Sequence, residues 1–155
     1  MKEENKQMMN DAIDALNVLG ISNNDIMIVG SIALDVHGLF PTNKLKAHDV
    51  DVVIRCGIER QKEITQLVKF INKTISKPNG ICNMQSESSS LVMGLRNNLI
   101  INLWFVNEDC EFNTETKLEN GVWIERPVDC FKKKKSYMRP KDYQDLNNII
   151  QNYIL

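Results

Sequence analysis

The sequence predicts an α+β (α/β) protein in which a mixed β-sheet is flanked by helices, within one domain spanning residues 1–155. Three observations predict it. Apolar residues recur at three- and four-residue steps near the N-terminus and again beyond residue 58, as amphipathic helices require. Between and after those segments lie short apolar runs bounded by Gly, Asn and Pro, which read as buried strands. No internal repeat, low-complexity linker or break in composition divides the 155 residues, a length common for a single domain.

The elements follow in order. From Glu3 to Leu19, the residues Met9, Ala12, Ile13, Leu16 and Leu19 form one apolar stripe, and Gly20 is a C-terminal stop. Asn23 and Asn24 turn the chain into the strand Ile26–Val29. Gly30 breaks that strand, Ser31 opens a short helix through His37, and Gly38 closes it. Residues 39–47 form a loop with Pro41 and two lysines, and His48–Ile54 is a second strand with its two aspartates in alternation. A long helix runs from Glu59 to about Thr74 with Ile64, Leu67, Val68 and Ile71 on one face, and Pro78, Asn79 and Gly80 end that region. Strands are expected between Ile81 and Val106, turning at Asn97-Asn98. Asn120-Gly121 marks a tight hairpin before Val122, Trp123 and Ile124, and Pro127 and Pro140 each suit the first position of a closing helix.

Composition narrows the function classes. The chain is 43% apolar and 25% charged with a formal net charge of -1, so bulk charge gives no reason to expect nucleic acid or an anionic membrane as partner. It opens with Lys2, Glu3, Glu4 and Lys6, unlike a secretory signal, and no apolar stretch approaches the roughly 20 residues that span a bilayer. Cys56, Cys82, Cys110 and Cys130 form no CxxC pair, so reduced thiols in the cytoplasm are the expectation.

Two pieces carry chemistry. In the first, strand, Gly30-Ser31 and helix follow one another. Free N–H groups at a helix start favour phosphate, Gly30 permits close backbone approach, and the Ser31 hydroxyl donates to a phosphate oxygen. By itself such a Gly-Ser strand-to-helix turn is more often just a turn with an N-cap. The second is Asp49-Val50-Asp51. Side chains two apart on a strand share a face, with Cα atoms about 6.5–7 Å apart, so both carboxylates can converge on a divalent ion. A half-buried edge strand would show the same alternation, but Val52-Val53-Ile54 implies burial, where paired negative charges are costly without a cation.

Together, IMIVGSIALDVHGL and HDVDVVI resemble the signature of the nucleotidyltransferase superfamily, the polymerase-beta-like fold. Closer still are small nucleotidyltransferases of the abortive-infection and toxin–antitoxin type, which carry a lysine-containing helix and then a stretch like Arg139 to Leu146. The specific motifs occupy residues 28–54 and 134–146. The resemblance implies transfer of a nucleoside monophosphate from a nucleoside triphosphate, with Mg²⁺ (or Mn²⁺) as cofactor; the acceptor is left open, a protein or an RNA being the candidates. It implies Asp49 and Asp51 as metal ligands and catalytic residues, and Gly30, Ser31 and Lys141 around the phosphates. Active members place a third acidic residue on a neighbouring strand; here that position falls in LIINLWFV at Asn102. An amide can offer an oxygen to a metal but cannot take a proton from an acceptor hydroxyl. The second reading is therefore a catalytically degenerate member acting as nucleotide sensor or protein-binding module, and the third is an accidental match in an interaction domain.

The remaining polar residues have plainer readings. Glu108 and Asp109 lie beyond the apolar run. His37 is an exposed residue at a helix end, and His48 points away from the aspartate face. Lys132 to Lys135 form a solvated helix face with one lysine turned inward. Asp142 and Asp145 serve the dipole at a helix start. Trp104 and Trp123 are core or hairpin residues.

Overall fold

The computed structural model describes residues 1–74, 90–137 and 139–154. These form an α/β protein with five helices and a six-stranded mixed sheet. In chain order they are α1 (Glu3–Val18), β1 (Ile26–Val29), α2 (Gly30–Val36), β2 (Val50–Arg55), α3 (Ile58–Thr74), β3 (Leu91–Gly94), β4 (Ile100–Val106), β5 (Thr116–Lys117), β6 (Trp123–Ile124), α4 (Pro127–Tyr137) and α5 (Pro140–Ile149). A last π-helical turn spans Ile150–Ile154. The expected turn at Pro78-Asn79-Gly80, and residues 81–89 of the region where strands are expected, lie outside the described residues.

The strand order is β3-β4-β2-β1-β6-β5, with β2/β4 and β1/β6 parallel and the other three pairs antiparallel. Register sorts the side chains by face, because alternate residues of a strand point to opposite sides. Ile26 and Ile28 pair with Ile54 and Val52, which continue into Leu103 and then Leu91. All of these are buried, and they share one cluster with Ala12, Ile13 and Leu16 of α1 and Ile64 and Val68 of α3. The opposite face of the central strands carries Asp51, Val53, Asn102 and Trp104.

The apolar stripe of α1 is buried as its spacing predicts, and the helix stops before Gly20, whose φ of +84° suits a residue without a Cβ. Pro127 and Pro140 begin α4 and α5, and Gly121 (φ +94°) turns β5 back to β6. In α3, Ile64 and Val68 are fully buried and Ile71 is partly buried against the same core, but Leu67 is 42% exposed and falls at the margin of this stripe. The α3 helix also buries Asn72. Its amide donates to the Val92 carbonyl (2.7 Å) and accepts from Gly94 N–H (3.0 Å), supplying partners to the outer edge of β3. Among the described residues, no helix is long and apolar enough to cross a membrane.

Candidate functional site

Position begins with register. Val29 is the partner of Asp51 and Asp51 is the partner of Asn102, so Val29, Asp51 and Asn102 lie across adjacent strands β1, β2 and β4, and Gly30 follows directly on Val29. The second strand starts at Val50, two residues later than the sequence suggests. Asp49 therefore sits on the last residue of the incoming loop, yet its carboxylate still turns to the same place as that of Asp51. The Asn102 amide nitrogen donates to Asp49 Oδ2 at 2.8 Å and to Asp51 Oδ1 at 2.9 Å. Two carboxylates thus converge on one point, which carries the partial positive charge of an N–H₂ group.

The electrostatics follow from that crowding. Burial, and then the adjacent Asp49 charge, push the Asp51 carboxyl up to about 7, against smaller opposing effects from the Asn102 hydrogen bond, Lys134 and Lys141. Negative charge at this spot is under-compensated by the chain. A divalent cation fits the donor set: two carboxylates, plus the Asn102 carbonyl once the amide turns over, with ligand oxygens to complete the shell. Among the described residues no group of three or more His, Cys, Asp or Glu side chains is placed to hold a metal. Glu108 and Asp109 lie exposed beyond the end of β4 and do not supply a third carboxylate.

Gly30 is required by contact as well as by conformation. Its φ is +69°, and a Cβ there would stand 2.7 Å from Asp51 Oδ2. The turn therefore runs against the carboxylate pair at a distance only glycine allows. Its N–H does not face the cleft freely; it donates to Glu125 Oε1 at 3.2 Å. Glu125 is 3% exposed and also receives the Cys130 thiol (3.0 Å) and Lys133 Nζ (2.5 Å). Burial and that carboxylate push the Cys130 thiol far up, so it is a hydrogen-bond donor and no nucleophile. The α2 helix is only seven residues long, so positive charge at this site comes chiefly from side chains.

Those side chains arrive from α4, α5 and the loop before β2. Lys134 is the one lysine of its run turned inward, one helical turn after buried Cys130, while Lys132, Lys133 and Lys135 are exposed. Its ammonium lies 3.1 Å from Asp145 and 4.0 Å from Asp142. Lys44 reaches Asp145 at 2.8 Å, and Arg139 holds Asp142 through two nitrogens at 2.6 and 3.2 Å. Asp142 keeps its expected place in the first turn of α5, but Asp142 and Asp145 are each 1% exposed, so beyond serving the helix start they are buried counter-ions that fix the cationic wall. Lys141 lies on the same wall, exposed and without a carboxylate partner among the described residues.

Gly30, Ser31, Asp49, Asp51, Asn102 and Lys141 all line one cleft of about 490 Å³. Two other readings change. His37 is half-buried and its Nε2 meets the Glu125 carbonyl at 2.9 Å, so it belongs to the support of the turn. His48 precedes the strand and stands exposed at the cleft rim, not behind the sheet. Trp104 is half-buried and lines the cleft floor, whereas Trp123 sits in the β5–β6 hairpin with its indole N–H on the Asn24 carbonyl (3.1 Å).

Sequence reasoning missed the residues that brace the site. Asn5 is fully buried; it donates to Asp35 (2.8 Å) and accepts from Ala47 N–H (2.7 Å), tying α1 to α2 and to the loop that delivers Asp49. Asn148 receives Thr42 N–H at 2.6 Å and anchors the other end of that loop on α5. Signals existed: Asn5 stands on the apolar stripe one turn before Met9, and Asp35 interrupts the apolar run from Ile32 to Val36. Compared with family models, with curated proteins and with solved structures, the chain matches none of them.

Proposed function

We propose that this protein binds a nucleoside triphosphate together with a divalent cation, in a site of the nucleotidyltransferase type on a nucleotidyltransferase-like sheet. The observation that carries the reading is the convergence of the Asp49 and Asp51 carboxylates within 2.9 Å of one atom, against a glycine turn and below a wall of cations. Asp49, Asp51 and the Asn102 carbonyl would hold Mg²⁺ or Mn²⁺. Such an ion would supply the positive charge that the paired carboxylates and a triphosphate need. The remaining roles belong to the chain. Ser31 donates its hydroxyl to a phosphate, Lys141 brings to the same cleft an ammonium with no ion pair among the described residues, and Lys134 and Lys44 contribute charge from fixed positions. Gly30 lets the phosphate turn approach the carboxylates.

In nucleotidyl transfer an acceptor oxygen bonds to the α-phosphorus, the bond to the β-phosphate bridging oxygen breaks, pyrophosphate leaves, and the acceptor hydroxyl proton must go to a base. Asn102 takes the place where a third carboxylate would receive that proton, and its amide donates to both aspartates. This favours a second reading in which nucleotide binding persists while transfer to a protein or RNA acceptor is weak or lost, leaving a nucleotide sensor or protein-binding module.

Calorimetric titration with ATP, GTP, CTP and UTP, with Mg²⁺ and then with chelator, tests the binding claim. Binding that needs the cation is expected; binding of none of the four, or equal binding in chelator, defeats it. Incubation with α-labelled triphosphate separates the two readings. Label transferred to protein or RNA supports the enzyme, and binding without transfer supports the sensor.

A further inference from the structure

We infer that the floor formed by Val53, Trp104 and Val106 is a subsite for a flat heteroaromatic ring, the nucleobase of the triphosphate or of an acceptor strand; the inference rests on the nucleotide reading above. Successive rungs of the β2/β4 ladder on the cleft face are Asp51–Asn102, Val53–Trp104 and Arg55–Val106. Rungs on one face are about 6.5–7 Å apart, so the indole begins one rung beyond the carboxylate pair. All three floor residues line the same cleft as the aspartates and lysines. One end of the cavity is charged and the next rung is apolar and aromatic. A ligand that matches both ends has a polyanionic head and a flat body.

The two faces of the ladder show that this floor is not simply core. The rung behind it, Val52–Leu103, is aliphatic and at most 1% exposed. Trp104 is half-buried and is part of the lining of a cavity of about 490 Å³, a size that suits a nucleotide-sized ligand. Stacking on an aromatic side chain strengthens base binding roughly five- to hundredfold and tolerates every base, since each has a π-face. The subsite therefore favours nucleotides over bare polyphosphate while discriminating poorly among the four bases.

Intrinsic fluorescence gives the test, because the chain has two tryptophans and Trp123 lies in the hairpin, outside the cleft lining. The probes are Mg-ATP, Mg-tripolyphosphate, and adenosine monophosphate added after Mg-ATP, applied to wild type, Trp123→Phe, Trp104→Leu and Trp104→Phe. Quenching of Trp123→Phe by Mg-ATP but not by Mg-tripolyphosphate is expected for a donor base. Quenching only after adenosine monophosphate is added assigns the same subsite to an acceptor base. The ligand that quenches should bind Trp104→Leu at least about fivefold more weakly, and Trp104→Phe less so, with Mg-tripolyphosphate affinity unchanged in both. Equal loss of tripolyphosphate and nucleotide binding would make Trp104 structural and overturn the inference, as would quenching by none of the probes in a chain that binds Mg-ATP. A wild type that binds neither Mg-ATP nor Mg-tripolyphosphate removes the nucleotide reading itself.

Discussion

Asn102→Asp puts the physical account under most strain. The amide now donates to both carboxylates, at 2.8 and 2.9 Å. A hydrogen bond to a charged group is worth about 1.5–3 kcal/mol, and the substitution removes two of them. It also sets a third carboxylate beside two others, one of which is already pushed up to about 7. Proton uptake by the trio relieves part of this cost. A net destabilisation of about 3–5 kcal/mol without cation, near neutral pH or above, is expected. For a chain of this size that lowers Tm by about 6–20 °C. Saturating Mg²⁺ should restore most of the loss, because three carboxylates hold the ion better than two and an amide. The assay is thermal denaturation followed by circular dichroism, with Mg²⁺ and with chelator, beside labelled-nucleotide transfer, which should rise in the variant. A variant as stable as wild type in chelator, or one whose Tm ignores Mg²⁺, would refute the argument that the amide stands where a cation belongs.

Three other substitutions probe separate parts of the site. Asp51 has its folded pKa raised from 3.8 to about 7, so its contribution to stability is full below about pH 4 and is lost as pH rises through about 7. Asp51→Asn should therefore gain on wild type as pH is raised across that window, by up to about 4 kcal/mol, while losing cation-dependent nucleotide binding; urea unfolding at several pH values reads the gain. Gly30→Ala meets both a positive φ and Asp51 Oδ2 at 2.7 Å, whereas Gly38→Ala meets the strain alone, with nothing within 4 Å. Each should cost about 1–2 kcal/mol for backbone conformation, but only Gly30→Ala should abolish Mg-ATP binding. Lys134→Met leaves Asp142 and Asp145 buried with fewer counter-ions, and chemical denaturation should show a loss of about 3 kcal/mol.

What the sequence makes legible here is local. The stripe of α1, the prolines that open α4 and α5, and the Asn120-Gly121 hairpin each depend on residues a few positions apart. Asp49 and Asp51 are legible as a pair for the same reason, and Asn102 as the residue opposite them because it alone is polar in its strand. Strand order is not legible, since β2 pairs in parallel with a strand some fifty residues further along. The support for the Gly30 turn comes from Glu125, 95 residues away, and no local pattern marks a carboxylate for that place. Asp142 and Asp145 look like helix-start residues because their spacing suits that role. Only packing against Lys134 and Lys44 shows them as buried ion partners. The place of Trp104 in the cleft stays hidden because periodicity assigns it to a strand face without saying whether that face is covered.

Manganese binding followed by electron paramagnetic resonance tests the central claim most directly, since free Mn²⁺ is counted in solution as it disappears onto the protein. With ATP present at a concentration too low to hold the ion alone, wild type should take up Mn²⁺ in a fixed proportion to chain. Asp51→Ala should take up none, and Gly38→Ala should match wild type. Uptake by Asp51→Ala equal to that of wild type, or no uptake by wild type at all, would contradict the assignment of these carboxylates to a cation-dependent nucleotide site.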